Sequence, residues 1–177
     1  MNHLAEQIPP SESVDPNLTA AESKQEIPHL NAQSCKDITR QSHSNFALAF
    51  KFLPKKAEDL ECIYAFSRII DDCVDEPKTA QAKSEALKYW KTQLELLYAG
   101  KTEHVVMKEL EQTIKKYHIP QEYLFGLIQG CEMDIDKNRY QTLPELYEYC
   151  YHVAGLVGMC CLKVFEYQEP VSYTHLR

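Results

Sequence analysis

Residues 67–77 read SRIIDDCVDEP, with four acids, Asp71, Asp72, Asp75 and Glu76, closing an apolar helical stretch that Pro77 stops. At about 100° per residue, Leu60, Tyr64, Ser67, Asp71, Val74 and Asp75 share roughly 100° of arc, with Ile63 just outside it. Asp71 therefore aims along the apolar face of what reads as a half-buried helix over 55–76. Asp75 lies one turn further on the same side, and Asp72 points well off it. A helix C-terminus carries partial negative charge, so carboxylates there are opposed by the macrodipole. Carboxylates at i and i+4, about 6 Å apart, repel by roughly 3 kcal/mol at an effective dielectric near 20, and desolvation disfavours their charge further. A solvated acidic helix end is the plain alternative, yet an arrangement this unfavourable alone becomes reasonable around a cation. Two carboxylates with open coordination positions suit Mg2+, which keeps waters and shares its sphere with substrate phosphates. A phosphate or diphosphate ligand is thus expected. Arg68, one turn before Asp72, either meets an anionic oxygen or pairs with a carboxylate.

Outward from this stretch, residues 1–28 carry four prolines among Ser, Glu, Asn and Gln and read as a disordered tail. Beyond residue 30, helical patterns follow one another with turn residues between them, and no alternating β-branched run is long enough for a strand. Helices are predicted near 31–43, 45–54, 55–76, 79–99, 104–117 and 120–136. A last one runs from Thr142, an N-cap with Pro144 in the first turn and Glu145 completing a capping box, to about Tyr167. The chain is long enough for one domain, an all-α bundle whose helices pool their apolar stripes.

A net charge of −7 and no Lys/Arg stripe argue against nucleic acid as a partner. No apolar run reaches the roughly 18 residues that span a bilayer, and the N-terminus lacks the basic and apolar regions of a signal peptide, so the cytoplasm is the expected location. The seven cysteines show no CxxC or Cys/His spacing for a zinc site and read mostly as small core residues.

In the last helix Leu146, Tyr149, Cys150, Val153, Val157, Cys160, Cys161 and Val164 keep i, i+3, i+4 spacing, a core-directed face. Ala154, Gly155 and Gly158 at its middle let a second helix, or a long apolar ligand, approach the backbone; helix packing is the plainer reading. Tyr149 brings a phenol that needs a hydrogen-bond partner and can stabilise or deprotonate a cation. Asp134 lies at the edge of the Leu124, Leu127, Ile128, Cys131 stripe, whereas Asp136 points elsewhere. A competing motif is the EF-hand-like run 134–145, with Asp134, Asp136, Asn138, Thr142 and Glu145 at ligand spacing but Arg139 where the turn wants glycine. It would make the chain a non-enzymatic calcium-binding helical protein.

Three stretches in order, SNFALAFKFLP (44–54), IYAFSRIIDDCVDE (63–76) and LIQGCEMDIDKNRYQTLPELYEYCYHVAGLVG (127–158), together resemble the squalene/phytoene synthase family of head-to-head prenyl transferases, with GCEMDIDKNRY similar to its bacterial presqualene diphosphate synthases. The resemblance covers residues 29–168 and implies an isoprenoid (terpenoid) synthase-type helical bundle around an apolar cavity. By that likeness Asp71, Asp72 and Asp75 form a first aspartate-rich motif that binds Mg2+. Ser44, Phe46, Tyr64, Arg68, Asp134, Val153, Ala154, Gly155 and Gly158 bind substrate, and Tyr149, Asp71, Asp75 and Arg68 are catalytic. Arg139 and Tyr140 match the segment before the last helix. The implied reaction condenses two farnesyl or two geranylgeranyl diphosphates. NADPH enters only if the enzyme continues to squalene, and no glycine-rich fingerprint marks it here. Peripheral membrane association is a further expectation of the likeness. Asn45 departs from the hydroxyl residue common before that phenylalanine, and the stretch 54–64 is one residue short. After Tyr167 the family continues to a second aspartate-rich motif, whereas this chain reads QEPVSYTHLR. The expectation is a C-terminally truncated chain, inactive alone, with a tail at 169–177 foreign to the family.

Overall fold

In the computed structural model the described residues are 27–42, 44–77, 79–137 and 139–167, Asp136 through its backbone alone. They form helices and no strand: α1 (Cys35–Gln41), α2 (Asn45–Phe50), α3 (Ala57–Asp75), α4 (Ala80–Tyr98), α5 (Val105–Tyr117), α6 (Gln121–Asp136), α7 (Leu143–Cys150), a π-helical turn (Tyr151–Gly155) and α8 (Leu156–Val164). Local chemistry sets most of the ends. Ser34, Thr79 and Thr142 accept from the N–H groups of Asp37, Ala82 and Glu145, each satisfying a donor orphaned at a helix start. His118, at φ 50°, turns the chain between α5 and α6.

The core explains the order of the elements. Trp90, Phe66, Ile69, Ile70, Leu94, Met107, Leu110 and Ile128 are fully buried, and α3 packs against α1, α2, α4, α5, α6 and α8. The expectation of a half-buried helix at 55–76 is therefore corrected: α3 is central, with Cys62, Ala65, Phe66, Ile69, Ile70 and Cys73 all buried around it.

Two further expectations change. The helix foreseen at 31–43 begins at Cys35, and the residues before it dock instead. Ile27 packs against the core, Pro28 is buried, and the Trp90 indole donates to the Pro28 carbonyl at 3.2 Å. Ile27 and Pro28 thus do not belong to the tail expected at 1–28; residues 1–26 and 168–177, with the rest of that expectation and the one for 169–177, lie outside the described residues. The last helix runs unbroken from Leu143 to Val164 but is not α-helical throughout, since a π turn lies between α7 and α8.

Candidate active site

The site grows from the inner faces of α2, α3, α6, the π turn and α8, which enclose an open cavity of about 690 Å³. Its wall is mainly apolar, built from Phe50, Leu60, Ile63, Leu127 and Val157. Of the residues singled out from sequence, Ser44, Phe46, Tyr64, Arg68, Asp71, Val153, Ala154 and Gly158 border it. Phe46, Phe50 and Tyr64 form one aromatic cluster, with ring centroids 5.6–6.3 Å apart, and the Tyr64 hydroxyl donates to Ser42 Oγ at 3.0 Å. At Gly158 a Cβ would meet nothing within 4 Å, so this glycine leaves bare backbone facing the cavity.

Acids gather at one end. Asp71, whose side chain is 58% exposed, has its carboxyl pushed up by partial burial and by Asp75, with Arg68 pulling the other way and Asp134 adding a smaller upward push. The Cys131 thiol feels the same field: burial first, then Asp71, Asp134 and Asp75, push it up to about 12. Asp71, Asp75 and Asp134 do not bring three ligand atoms within 4.8 Å of one another, so no closed oxygen cage is preformed. The donor set, mutually repelling carboxylates near an open mouth, fits a hard divalent cation that completes its shell with water or a ligand's phosphate oxygens.

Asp72, grouped from the sequence with Asp71 and Asp75, is here bonded elsewhere. Its side chain is 3% exposed. The Arg68 guanidinium clasps it, Nε to Oδ2 at 3.0 Å and Nη2 in close contact with Oδ1, and His29 Nε2 lies 2.6 Å from Oδ2. Arg68 also reaches Asp71 at 3.9 Å. Of the two alternatives for Arg68, pairing with a carboxylate is the one observed, at the border of the cavity.

Tyr149 and Asp134 meet beside the cavity, not in its lining. The phenol donates to Asp134 Oδ2 at 2.7 Å, and the Tyr140 ring stacks on it with centroids 4.8 Å apart. Burial, then Asp134, raise the phenol well above its usual range, so Tyr149 is a hydrogen-bond donor at neutral pH. Gly155 is also outside the lining: a Cβ there would meet the Tyr151 ring at 3.2 Å.

Sequence reasoning missed Gly126 and Gly130 on α6. A Cβ at Gly130 would come within 2.7 Å of His152 Cβ and 2.8 Å of Val153 Cγ1, and one at Gly126 would meet Leu156. These glycines, four residues apart in FGLIQGC, let the π turn sit directly on α6, and that approach brings Tyr149 to Asp134. The i, i+4 spacing was the available signal.

The EF-hand-like alternative is not what residues 134–145 form. Asp134 and Asp136 belong to α6, Thr142 caps α7, and Glu145 turns back to the N–H of Gln141 at 3.2 Å. Asn138 lies outside the described residues.

Against known proteins, residues 39–177 match the family description Squalene/phytoene synthase, a span that includes 169–177. The phytoene synthase of Arthrospira platensis is 35% identical over 137 residues, 77% of this chain and 44% of the relative. The crystal structure of a dehydrosqualene synthase aligns with a TM-score of 0.67 at 29% identity, over 81% of this chain and 48% of that one. The squalene synthase HpnC from Alicyclobacillus acidocaldarius aligns at 0.70 and 26%, over 85% and 55%. The chain spans less than half the length of the curated relatives it matches. Its all-α architecture is that of the terpenoid synthase-type bundles, and with a match over most of its length the chain belongs to the squalene/phytoene synthase family.

Proposed function

We propose that this chain carries the diphosphate-binding pole and much of the prenyl cavity of an enzyme that condenses two prenyl diphosphates head to head. One observation carries the reading: a single helix, α3, presents apolar residues to a cavity of about 690 Å³ and ends in Asp71 at its border, with Asp75 one turn on.

Asp71 and Asp75 would hold Mg2+, whose positive charge offsets that of the departing diphosphate when the allylic C–O bond ionises. The chain's own residues do the rest. Phe46, Phe50, Tyr64, Leu127 and Val157 surround the hydrocarbon and exclude the water that would quench an allylic cation. The double bond of the second prenyl diphosphate then attacks that cation, and loss of a proton closes a cyclopropyl carbinyl diphosphate. Tyr149, held protonated against Asp134, presents a fixed dipole beside this chemistry. Arg68 is neutralised by Asp72 and acts as a positioning residue at the border. Only one acidic pole adjoins the cavity among the described residues, so binding without condensation is expected of the 177-residue chain.

The test is calorimetry with the thiolo analogues of farnesyl and geranylgeranyl diphosphate, with Mg2+ or with chelator. Magnesium-dependent binding that Asp71→Asn and Asp75→Asn each weaken at least tenfold supports the proposal. Equal binding with and without metal refutes it. The analogue bound the more tightly, farnesyl or geranylgeranyl, assigns the substrate branch. No helix among the described residues is long and apolar enough to cross a membrane. Phe46 and Phe52 are 59% and 79% exposed in and after α2, which supports peripheral contact with a bilayer; Phe52→Ser should reduce co-sedimentation with vesicles.

A further inference from the structure

We propose that Cys35, Cys62 and Glu109 form a second metal site, separate from the acidic pole, for a thiophilic divalent cation of the zinc class. The ligands come from α1, α3 and α5. One sulfur of each cysteine and one carboxylate oxygen of Glu109 all lie within 4.8 Å of one another, the one such grouping of three among the described residues. With Zn–S near 2.3 Å and Zn–O near 2.1 Å, tetrahedral donors stand roughly 3.5–3.8 Å apart, a spacing within reach of small side-chain rotations here.

Chemistry selects the cation. Two sulfur donors suit zinc and its congeners and exclude Mg2+ and Ca2+, which take oxygen. Glu109 has no Lys, Arg or His within ion-pair distance among the described residues. It accepts the Cys35 N–H at 2.7 Å, which fixes the carboxylate beside the thiol. Cys35 is further oriented by Thr39, whose hydroxyl donates to the Cys35 carbonyl at 2.9 Å. Cys35 and Cys62 are 1% and 7% exposed, but a surface cleft of about 320 Å³ reaches them. Its rim sets Glu58 and Glu61 against Lys36, with Asp59 already paired to Lys116, and the cleft leaves room for water as a fourth ligand.

Without metal, the neighbouring Cys62 and burial push the Cys35 thiol up, and its S–H donates toward the Val106 carbonyl at 3.7 Å. Such metals bind cysteine as thiolate, so binding releases protons to solvent and uptake weakens as pH falls. The ordinary alternative is two small core cysteines, which would bind nothing. Bound metal would staple α1 to α3 and α5, and α1 leads directly into α2 with its cavity residues.

The test uses the full chain kept reduced by a phosphine and titrated with Co2+ alone, reading the near-ultraviolet sulfur-to-cobalt absorption. Expected is one equivalent of Co2+ per chain, displaced by Zn2+ and unaffected by excess Mg2+. The band should be lost in Cys35→Ser and Cys62→Ser, retained in the Cys160→Ser/Cys161→Ser double variant, and weakened by roughly tenfold or more in affinity by Glu109→Gln. Circular dichroism is recorded for each; Glu109→Gln decides the matter if a serine variant loses its helicity. The proposal is overturned by no band at stoichiometric cobalt. It is overturned equally by a band that survives in a folded Cys35→Ser chain, by wild-type affinity in Glu109→Gln, or by oxidation of the pair to a disulfide with no metal uptake when reduced.

Discussion

If the close seating of the π turn on α6 is what brings Tyr149 to Asp134, a methyl group at Gly130 should lift it off. A Cβ there would stand 2.7 Å from His152 Cβ and 2.8 Å from Val153 Cγ1, with the His152 carbonyl carbon at 3.3 Å. The first and third of these atoms are fixed by the backbone, so the turn itself has to move. Overpacking of this kind costs about 1–3 kcal/mol, and exchanging glycine for alanine inside a helix returns about 0.8–1 kcal/mol. Gly130→Ala should therefore lose about 1 kcal/mol net. Gly158→Ala is the matched control, since it gains the same helix propensity and meets nothing within 4 Å. It should be as stable as wild type or more so by up to about 1 kcal/mol, while its methyl enters the cavity. Urea denaturation followed by circular dichroism separates the pair by about 2 kcal/mol. Prenyl-analogue calorimetry should weaken for both, for opposite reasons. A Gly130→Ala chain no less stable than wild type would refute the seating argument.

Three other outcomes follow from the same geometry. Partial burial and Asp75 raise the Asp71 carboxyl in the folded state, so the folded chain binds more protons there than the unfolded one, and stability falls as pH rises through the raised value. Asp71→Asn should thus be more stable than wild type at pH 7 and equal to it below the ordinary carboxylate range, in parallel urea titrations. Tyr149→Phe removes the bond to Asp134 and should cost about 1 kcal/mol, discounted from the usual worth of a hydrogen bond to a charged group because the pair is partly exposed. Trp90 is the sole tryptophan, fully buried and bonded to Pro28. His29→Ala, by loosening the segment over it, should shift its fluorescence to the red, and an unchanged spectrum would show that His29 does not hold that segment.

The helices were legible because their ends are local. Thr79, Thr142 and Pro77 act within a few residues, and the cap bonds found at Thr79 and Thr142 are those their sequence positions predict. The direction of Asp71 was legible too, since a straight helix keeps phase from Leu60 onward. Phase was lost where the helix is not straight. The sequence grouping of Ala154, Gly155 and Gly158 is not kept: Ala154 and Gly158 line the cavity, whereas Gly155, at the end of the π turn, lies against the Tyr151 ring. What depended on distant partners was not legible at all. Cys35 and Glu109 are 74 residues apart and His29 and Asp72 are 43 apart, and no spacing rule reaches that far.

The acids at the end of α3 point in two directions. Consecutive residues on a helix diverge by about 100°, so Asp71 and Asp72 point different ways, whereas Asp71 and Asp75, a turn apart, share a side. Because α3 is surrounded on most sides, the direction Asp72 takes leads inward, and a carboxylate there needs compensation. Arg68, four residues earlier, supplies one cation, and His29 supplies a second partner from the segment that also bonds Trp90. Arg68 in turn lies 3.9 Å from Asp71. The docking of residues 27–30 and the charge at the cavity border therefore meet in one side chain: whatever frees Asp72 frees Arg68, which then adds positive charge beside Asp71 and competes with a bound cation.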